Sequence, residues 1–377
     1  MILKSILLCF LLLNHLQAEI YYSGKLNIPY NFYLKDYKNT ENPIRFMNLN
    51  INCGLKNIDF KSNTTFEYKW GQDDSNPVKF KEYYLSYYPD FGEINIGKQI
   101  VTWGFADGNN PTDNINPYDL NYMFETGIDR KVGVHSISSI IYHNNSKINF
   151  IISYDEFKYQ FNSEIPFECK IYGMNEYGEC NKLPSFDKHI EYGLDIQHNM
   201  NDLEFSISYL NGKDRFYNEN IQTLGTNLLY IYNEFVFRIE NAFHLANSNE
   251  KFGQAIIQIE YPEILSLNIG NQFFGTYDIN AKKIYGIGPP TFILSEYMFA
   301  LSASRMFYED TIELNGFLLY NLGKGNGFSI GSEMDYILSD NIKTSINISK
   351  FFKGSTDNVF TTLEDKSSMR LSFKYFF

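Results

Sequence analysis

No stretch of this chain after its first residues approaches about 18 consecutive apolar residues, which excludes membrane-spanning helices. Positive charge is scarce: 32 Lys and Arg stand against 44 Asp and Glu, a formal net charge of −12. A nucleic-acid partner is therefore not expected, because phosphate binding needs a basic surface. Histidine is limited to 6 and cysteine to 4 residues in 377, without metal-ligand spacing, so no metal or other cofactor is expected. The His residues also sit singly, whereas nucleophilic catalysis needs Ser, His and an orienting group brought together, which argues against an enzyme. Tryptophan is rarer still, at 2.

Other aromatics are abundant. The chain holds 33 Phe and 30 Tyr, yet its mean hydropathy is −0.31. A soluble core of this polarity does not need so many rings. Strands with one face in lipid and one in water account for both numbers.

The N-terminus reads as an export signal. Residues 1–4 form a basic n-region and 6–13 an apolar h-region, and Leu16-Gln17-Ala18 fits a cleavage site before Glu19. The expected division is a signal peptide, 1–18, and one further domain, 19–377. Cys9 would leave with the signal. Cys169 and Cys180 flank a polar loop with Gly173, Asn175 and Gly178, which suits a local disulfide in an oxidising compartment. Cys53 is left over.

Period-2 alternation recurs along the chain. Ile190, Tyr192, Leu194 and Ile196 oppose Glu191, Asp195 and Gln197. Leu203, Phe205, Ile207 and Tyr209 oppose Glu204, Ser206 and Ser208, and a similar pattern marks 328–336 and 342–349. The last residues alternate too: Met369, Leu371, Phe373, Tyr375 and Phe377 against Arg370, Ser372 and Lys374. Ending on Phe with an aromatic two residues earlier resembles the closing strand and assembly signal of Gram-negative outer-membrane β-barrels.

Short turns alternate with long loops. Tight turns are expected at 54–57, 89–91, 143–146, 199–202, 232–234, 262–263, 309–310 and 339–341. Long loops are expected at 103–130, 156–188, 211–225, 276–295 and 354–368. The fold expected is all-β: a single closed antiparallel transmembrane β-barrel of about 18 strands, with 16 as the alternative. Closure would pair the strand near 21–34 with the last one, since an open edge in lipid leaves backbone groups unpaired.

Residues 96–119 carry the most specific motif. Gly97, Lys98 and Gln99 close a strand, Trp103 and Gly104 follow, and Asp113, Asn116, Pro117 and Asp119 punctuate the next loop. Here the chain resembles a poorly characterised group of porin-like outer-membrane barrels that share a Gly-(Arg/Lys)-Gln, Trp-Gly and Asn-Pro-X-Asp pattern. The resemblance implies residence in the cell outer membrane and transport of small solutes, and it names no substrate. The loop is expected to fold inward and narrow the pore, with Trp103, Asp107, Asp113, Asn116, Asp119 and Arg130 as candidate constriction residues. The alternative is an ordinary surface loop with Trp103 in an interfacial aromatic belt. Asp107, Asn109 and Asp113 could offer oxygens to calcium, but turn capping explains them better.

Alternation places Glu191, Asp195, Arg238, Glu240, Glu333, Asp335, Arg370 and Lys374 on the lumen side, where an acidic excess predicts a modest cation preference. Lys98 breaks the pattern, being in phase with Ile94 and Ile96 on the lipid side, and a bulge at Gly97 would re-aim it. The expected function is a channel for passive or substrate-selective diffusion. The alternatives are a surface-binding adhesin and, less favoured, a barrel hydrolase. Expected partners are outer-membrane lipid, small-molecule solutes and, through the C-terminal strand, the barrel assembly machinery. No stretch identifies a protomer interface, so oligomeric state is left open.

Overall fold

The computed structural model describes residues 19–377 except 41–42, 69–77, 124, 126, 157–187, 265–266, 283–284, 290–293 and 356–358. Residues 1–18, Cys169 and Cys180 lie outside the described residues.

Among the described residues, 18 strands form one antiparallel sheet. In chain order the first nine are β1 (Glu19–Tyr33), β2 (Ile44–Leu55), β3 (Ile58–Tyr68), β4 (Val78–Tyr87), β5 (Gly92–Gln99), β6 (Val134–His143), β7 (Ser146–Asp155), β8 (His189–Met200) and β9 (Leu203–Lys213). The rest are β10 (Asn220–Tyr232), β11 (Phe235–Ala246), β12 (Lys251–Ile264), β13 (Leu267–Asn280), β14 (Tyr297–Phe307), β15 (Ile312–Asn321), β16 (Phe328–Ser339), β17 (Ile342–Phe352) and β18 (Ser368–Phe376). Each strand pairs with its sequence neighbours, and β1 pairs with β18. In that seam Ile28 faces Phe373 and Tyr30 faces Leu371. Gly24 and Phe377 exchange backbone bonds of 2.8 and 3.1 Å. The ring is closed, with 18 strands and not 16.

The pleat sorts residues as alternation requires. On β8, Ile190 is 64% exposed on the outer wall while its neighbour Glu191 is 1% exposed inside. Tyr192, Leu194 and Ile196 share the outer face, and Asp195 is buried on the inner one. The outer wall of β18 carries Leu371, Phe373 and Tyr375.

The two rims differ. At one, strands reverse in a few residues, with Lys56, Asn144, Asn201 and Asn233 in the left-handed region. At the other, connections run longer, above all 100–133 between β5 and β6.

Several boundaries move. The long loop expected at 211–225 shrinks to 214–219, because Asn211 and Gln222 are partners on the β9–β10 ladder. Polar residues there mark the outer end of strands and not a loop. The 276–295 loop starts later, since β13 runs to Asn280. The turn expected at 262–263 falls within β12, where the register shifts between Tyr261 and Ile264. Pro262 is tolerated at that irregularity because it removes a donor where the ladder is already interrupted.

Lys98 is not re-aimed. Although Gly97 has φ +142°, the β4–β5 register runs through it unbroken. Asn95 and Gln99 are buried on the inner side, so Lys98 stays outward, between Tyr83 and His135. The bulge lies one strand away: the β3–β4 register jumps at Asn63/Thr64, making Lys81 the extra residue. The Lys98 ammonium donates to the Phe80 carbonyl at 2.8 Å, just beyond the last rung of the β4–β5 ladder. At such a rim an outward Lys costs only about 0–1 kcal/mol, against about 2–4 at the midplane.

Candidate functional site

The 100–133 segment leaves β5 and crosses the inside of the ring. Asn116 ties its two ends: its amide oxygen accepts from Val101 N–H at 2.8 Å, and its amide nitrogen donates to Gln99 O and Val132 O at 3.1 and 2.9 Å. Trp103 is buried among Ile115, Val134, Ile151 and Leu210, and its indole covers Gly193 on β8. It is an interior anchor and not part of an outer aromatic belt.

Beyond Trp103 the backbone meets acceptors from the far wall. Glu240 on β11 accepts from the N–H groups of Phe105 and Ala106. Gln258 on β12 accepts from Asp107 N–H at 2.8 Å, and Gln272 on β13 accepts from the Asn109 amide at 2.9 Å. Asn227 on β10 accepts from Thr112 at 2.9 Å. A loop backbone inside a barrel needs such partners, because its polar groups have left bulk water.

The returning half is tied to the opposite wall. Asp119 caps the short 3-10 helix Leu120–Tyr122, accepting from Asn121 N–H at 3.0 Å. Lys81 on β4 donates to Ile128 O at 2.9 Å and to Asp129 at 3.1 Å. Arg45 on β2 donates to Asp129 O and stacks 3.5 Å over the Tyr122 ring. Arg370 on β18 pairs with Glu125 at 2.8 Å. Within the loop Asp113 pairs with Lys131, and Arg130 lies 5.3 Å over the Tyr118 ring.

Other connections join it. A cluster of buried apolar groups brings together Tyr118, Leu120 and Met123 of this segment and Phe216 of the 214–219 connection. Leu294 follows β13, and Val359, Phe360 and Leu363 come from the helix α1 (Val359–Leu363) that follows β17. Ile256, Phe274, Met298 and Phe351 complete it from the wall. The ring thus holds an apolar knot built from its own connections.

Burial sets the electrostatics of these loops. It raises the Asp119 carboxyl above its usual range and pushes the Tyr118 and Tyr122 phenols up, keeping them neutral. Burial also acts on Asp129, but Lys81 and Arg45 outweigh it and hold that carboxyl low.

Of the six loop residues singled out by sequence, Trp103, Asp113, Asn116, Asp119 and Arg130 are buried. Their visible contacts hold the loop's shape. Asp107 differs: its side chain is 70% exposed, 3.5 Å from Arg238, which also pairs with Glu260 at 2.5 Å. The wall carboxylates are engaged as well. Glu191 is paired with Arg215 at 2.7 Å, and Asp195 accepts from Asn149 at 3.1 Å and Gln197 at 2.8 Å. Asp335 pairs with Lys343, and Glu333 with Lys374 at 3.3 Å. The inward acidic excess read from sequence is therefore largely occupied by partners.

Sequence reading missed Arg45, Lys81, Asp214 and Arg215. The last two sat in a stretch taken for an outer loop, and only their flanking hydrophobics, Phe216 and Tyr217, hinted at burial. One Gly-X-Ser-X-Gly string does occur, at 327–331. Its Ser329 lies within β16, bonded into the ladder opposite Leu319 and Phe351, and not on the strand-to-helix turn that gives this string its meaning as a nucleophile elbow.

No family model matches the sequence, and no curated protein matches it. Solved structures do. Pseudomonas aeruginosa OccK11 (OpdR) superposes with a TM-score of 0.61 at 8% identity, covering 95% of each chain. Acinetobacter baumannii OccAB3 gives 0.59 at 10% identity, covering 96% of this chain and 99% of its own. Pseudomonas aeruginosa OccK8 (OprE) gives 0.59 at 11% identity, over 95% and 98%. This chain shares their fold. At such identities the likeness extends to the barrel and not to individual side chains.

Proposed function

We propose that this chain is an outer-membrane channel for the diffusion of small solutes, with the 100–133 segment as its constriction. One observation carries the reading: a closed ring, apolar outside and polar inside, has its longest described connection bonded across its interior. A surface-binding protein gains nothing from placing that loop inside. The Occ barrels whose fold it shares are outer-membrane porins, which supports the same reading. The motif of Gly97, Lys98, Gln99, Trp103, Gly104, Asp113, Asn116, Pro117 and Asp119 resembles that of a porin-like group, which supports the same reading.

Selectivity in this reading rests on the charge pairs that the loop leaves partly open, exposed Asp107 with the mostly buried Arg238 and the half-exposed pair Glu125 and Arg370. The engaged carboxylates Glu191, Asp195 and Glu240 act as fasteners. The apolar outer rows of β18, aligned on β1, suit recognition by the barrel assembly machinery.

The test is single-channel conductance of refolded protein in planar bilayers, with and without residues 108–114. The reading expects small steps for the intact chain and larger ones after deletion. Equal steps would remove the constriction, and no conductance from either protein would remove the channel.

A further inference from the structure

Three consecutive residues of the short 214–219 connection each fasten a different partner inside the ring. Asp214 accepts from the N–H groups of Phe216 and Tyr217 at 2.9 and 2.7 Å and from Gly286 N–H at 2.5 Å, reaching the connection between β13 and β14. Arg215, 2% exposed, donates to Asn114 O and Ile115 O of the 100–133 segment at 3.0 and 3.1 Å. The same guanidinium holds Glu191 on β8 through both oxygens, at 2.7 and 3.1 Å, and the Lys213 carbonyl of its own hairpin. Phe216 is fully buried in the apolar cluster with Phe360 and Leu363 of α1. Its ring also fills the space beside Gly286, where a Cβ would lie 2.7 Å from it.

We infer that Arg215 is the positioning residue that fixes the constriction segment in the lumen, and that residues 214–216 lock three inward connections into one plug. The inference rests on the channel reading above and names the part that sets its opening. Arg215 is suited to this by shape. Two loop carbonyls and a wall carboxylate lie around one planar fork, which supplies parallel donors in fixed directions. The two carbonyls sit on the stretch directly before Asn116, which ties the loop ends. Releasing them loosens the stretch just before Asn116, while Glu240 and Gln258 still hold 105–107, and breaks no rung of the strand ladder. Lysine would keep the charge opposite Glu191 but not the fork.

The experiment compares wild type, Arg215→Lys and the double variant Glu191→Gln/Arg215→Met, which avoids leaving a buried carboxylate unpaired. Folding is scored by heat-modifiable migration, opening by single-channel conductance, and loop order by hydrogen–deuterium exchange of amides 103–116. The double variant should at least about double the conductance and add current steps. Arg215→Lys should speed exchange at amides 112–116 by about tenfold or more, leaving 105–107 and the strand amides unchanged. If the double variant fails to fold, the exchange pattern of Arg215→Lys decides alone. Wild-type conductance and exchange in these variants, alongside larger currents from the 108–114 deletion, would overturn the role of Arg215 while leaving the channel intact. Silence from wild type and deletion alike would overturn the channel reading, and this inference with it.

Discussion

Trp103 and Gly193 share one space: a Cβ built on Gly193 would lie 2.5 Å from Cη2 of the indole. The loop root is seated on β8 because that position has no side chain. Gly193→Val should displace the ring at a cost of about 1–3 kcal/mol, and Trp103→Ala should cost about 3–5 kcal/mol. Urea unfolding of the refolded protein checks both. Larger conductance in each variant would link the seat to the constriction.

Glu240 serves two loop N–H groups with one oxygen, those of Phe105 and Ala106. Glu240→Gln retains an acceptor and should lower stability by less than about 1 kcal/mol, whereas Glu240→Ala strands both donors at about 1–3 kcal/mol each. Hydrogen exchange at 105 and 106 is the direct readout. Equal protection in the two variants would show that Glu240 does not hold the loop.

Asp214 predicts a pH dependence. Burial pushes its carboxyl up to about 6, only partly offset by its backbone bonds and by Arg215 beside it. The folded state therefore binds this proton more tightly than the unfolded one. Its contribution to stability is full below the ordinary carboxylate range and is lost as pH rises through about 6. Lowering pH from about 7.5 to 5 should tighten the plug and reduce current steps. Asp214→Asn should flatten that response; an unchanged pH profile in this variant would assign the effect elsewhere.

The turn between β14 and β15 places Tyr308, Glu309 and Asp310 in succession in the left-handed region, at φ 50°, 54° and 63°. Each non-glycine residue there costs about 1–2 kcal/mol. Glu309→Gly should therefore stabilise the fold by about 0.5–1 kcal/mol after glycine's own entropy cost, seen as a raised unfolding midpoint. A lowered midpoint would mean that the Glu309 side chain contributes more than its backbone loses.

The alternation of β8 and β18 was readable because a pleated strand puts neighbours on opposite faces wherever it lies. Tight reversals at Asn144, Asn201 and Asn233 were readable because asparagine tolerates left-handed backbone. Lys98 shows the limit. Its phase was evident, but its relief comes from a carbonyl on the next strand and from a bulge at Lys81, both set by register.

Local chemistry alone therefore determined that this chain forms a closed sheet with a greasy outside, since period and turn residues act within a few positions. Which connections enter the ring, and what fastens them, was decided only in three dimensions. Arg215 meets Asn114, and Glu240 meets Phe105, across separations of 101 and 135 residues. No periodic signal spans such distances. Closing the ring brings those groups together, and the need to satisfy buried backbone then selects the side chains that meet them.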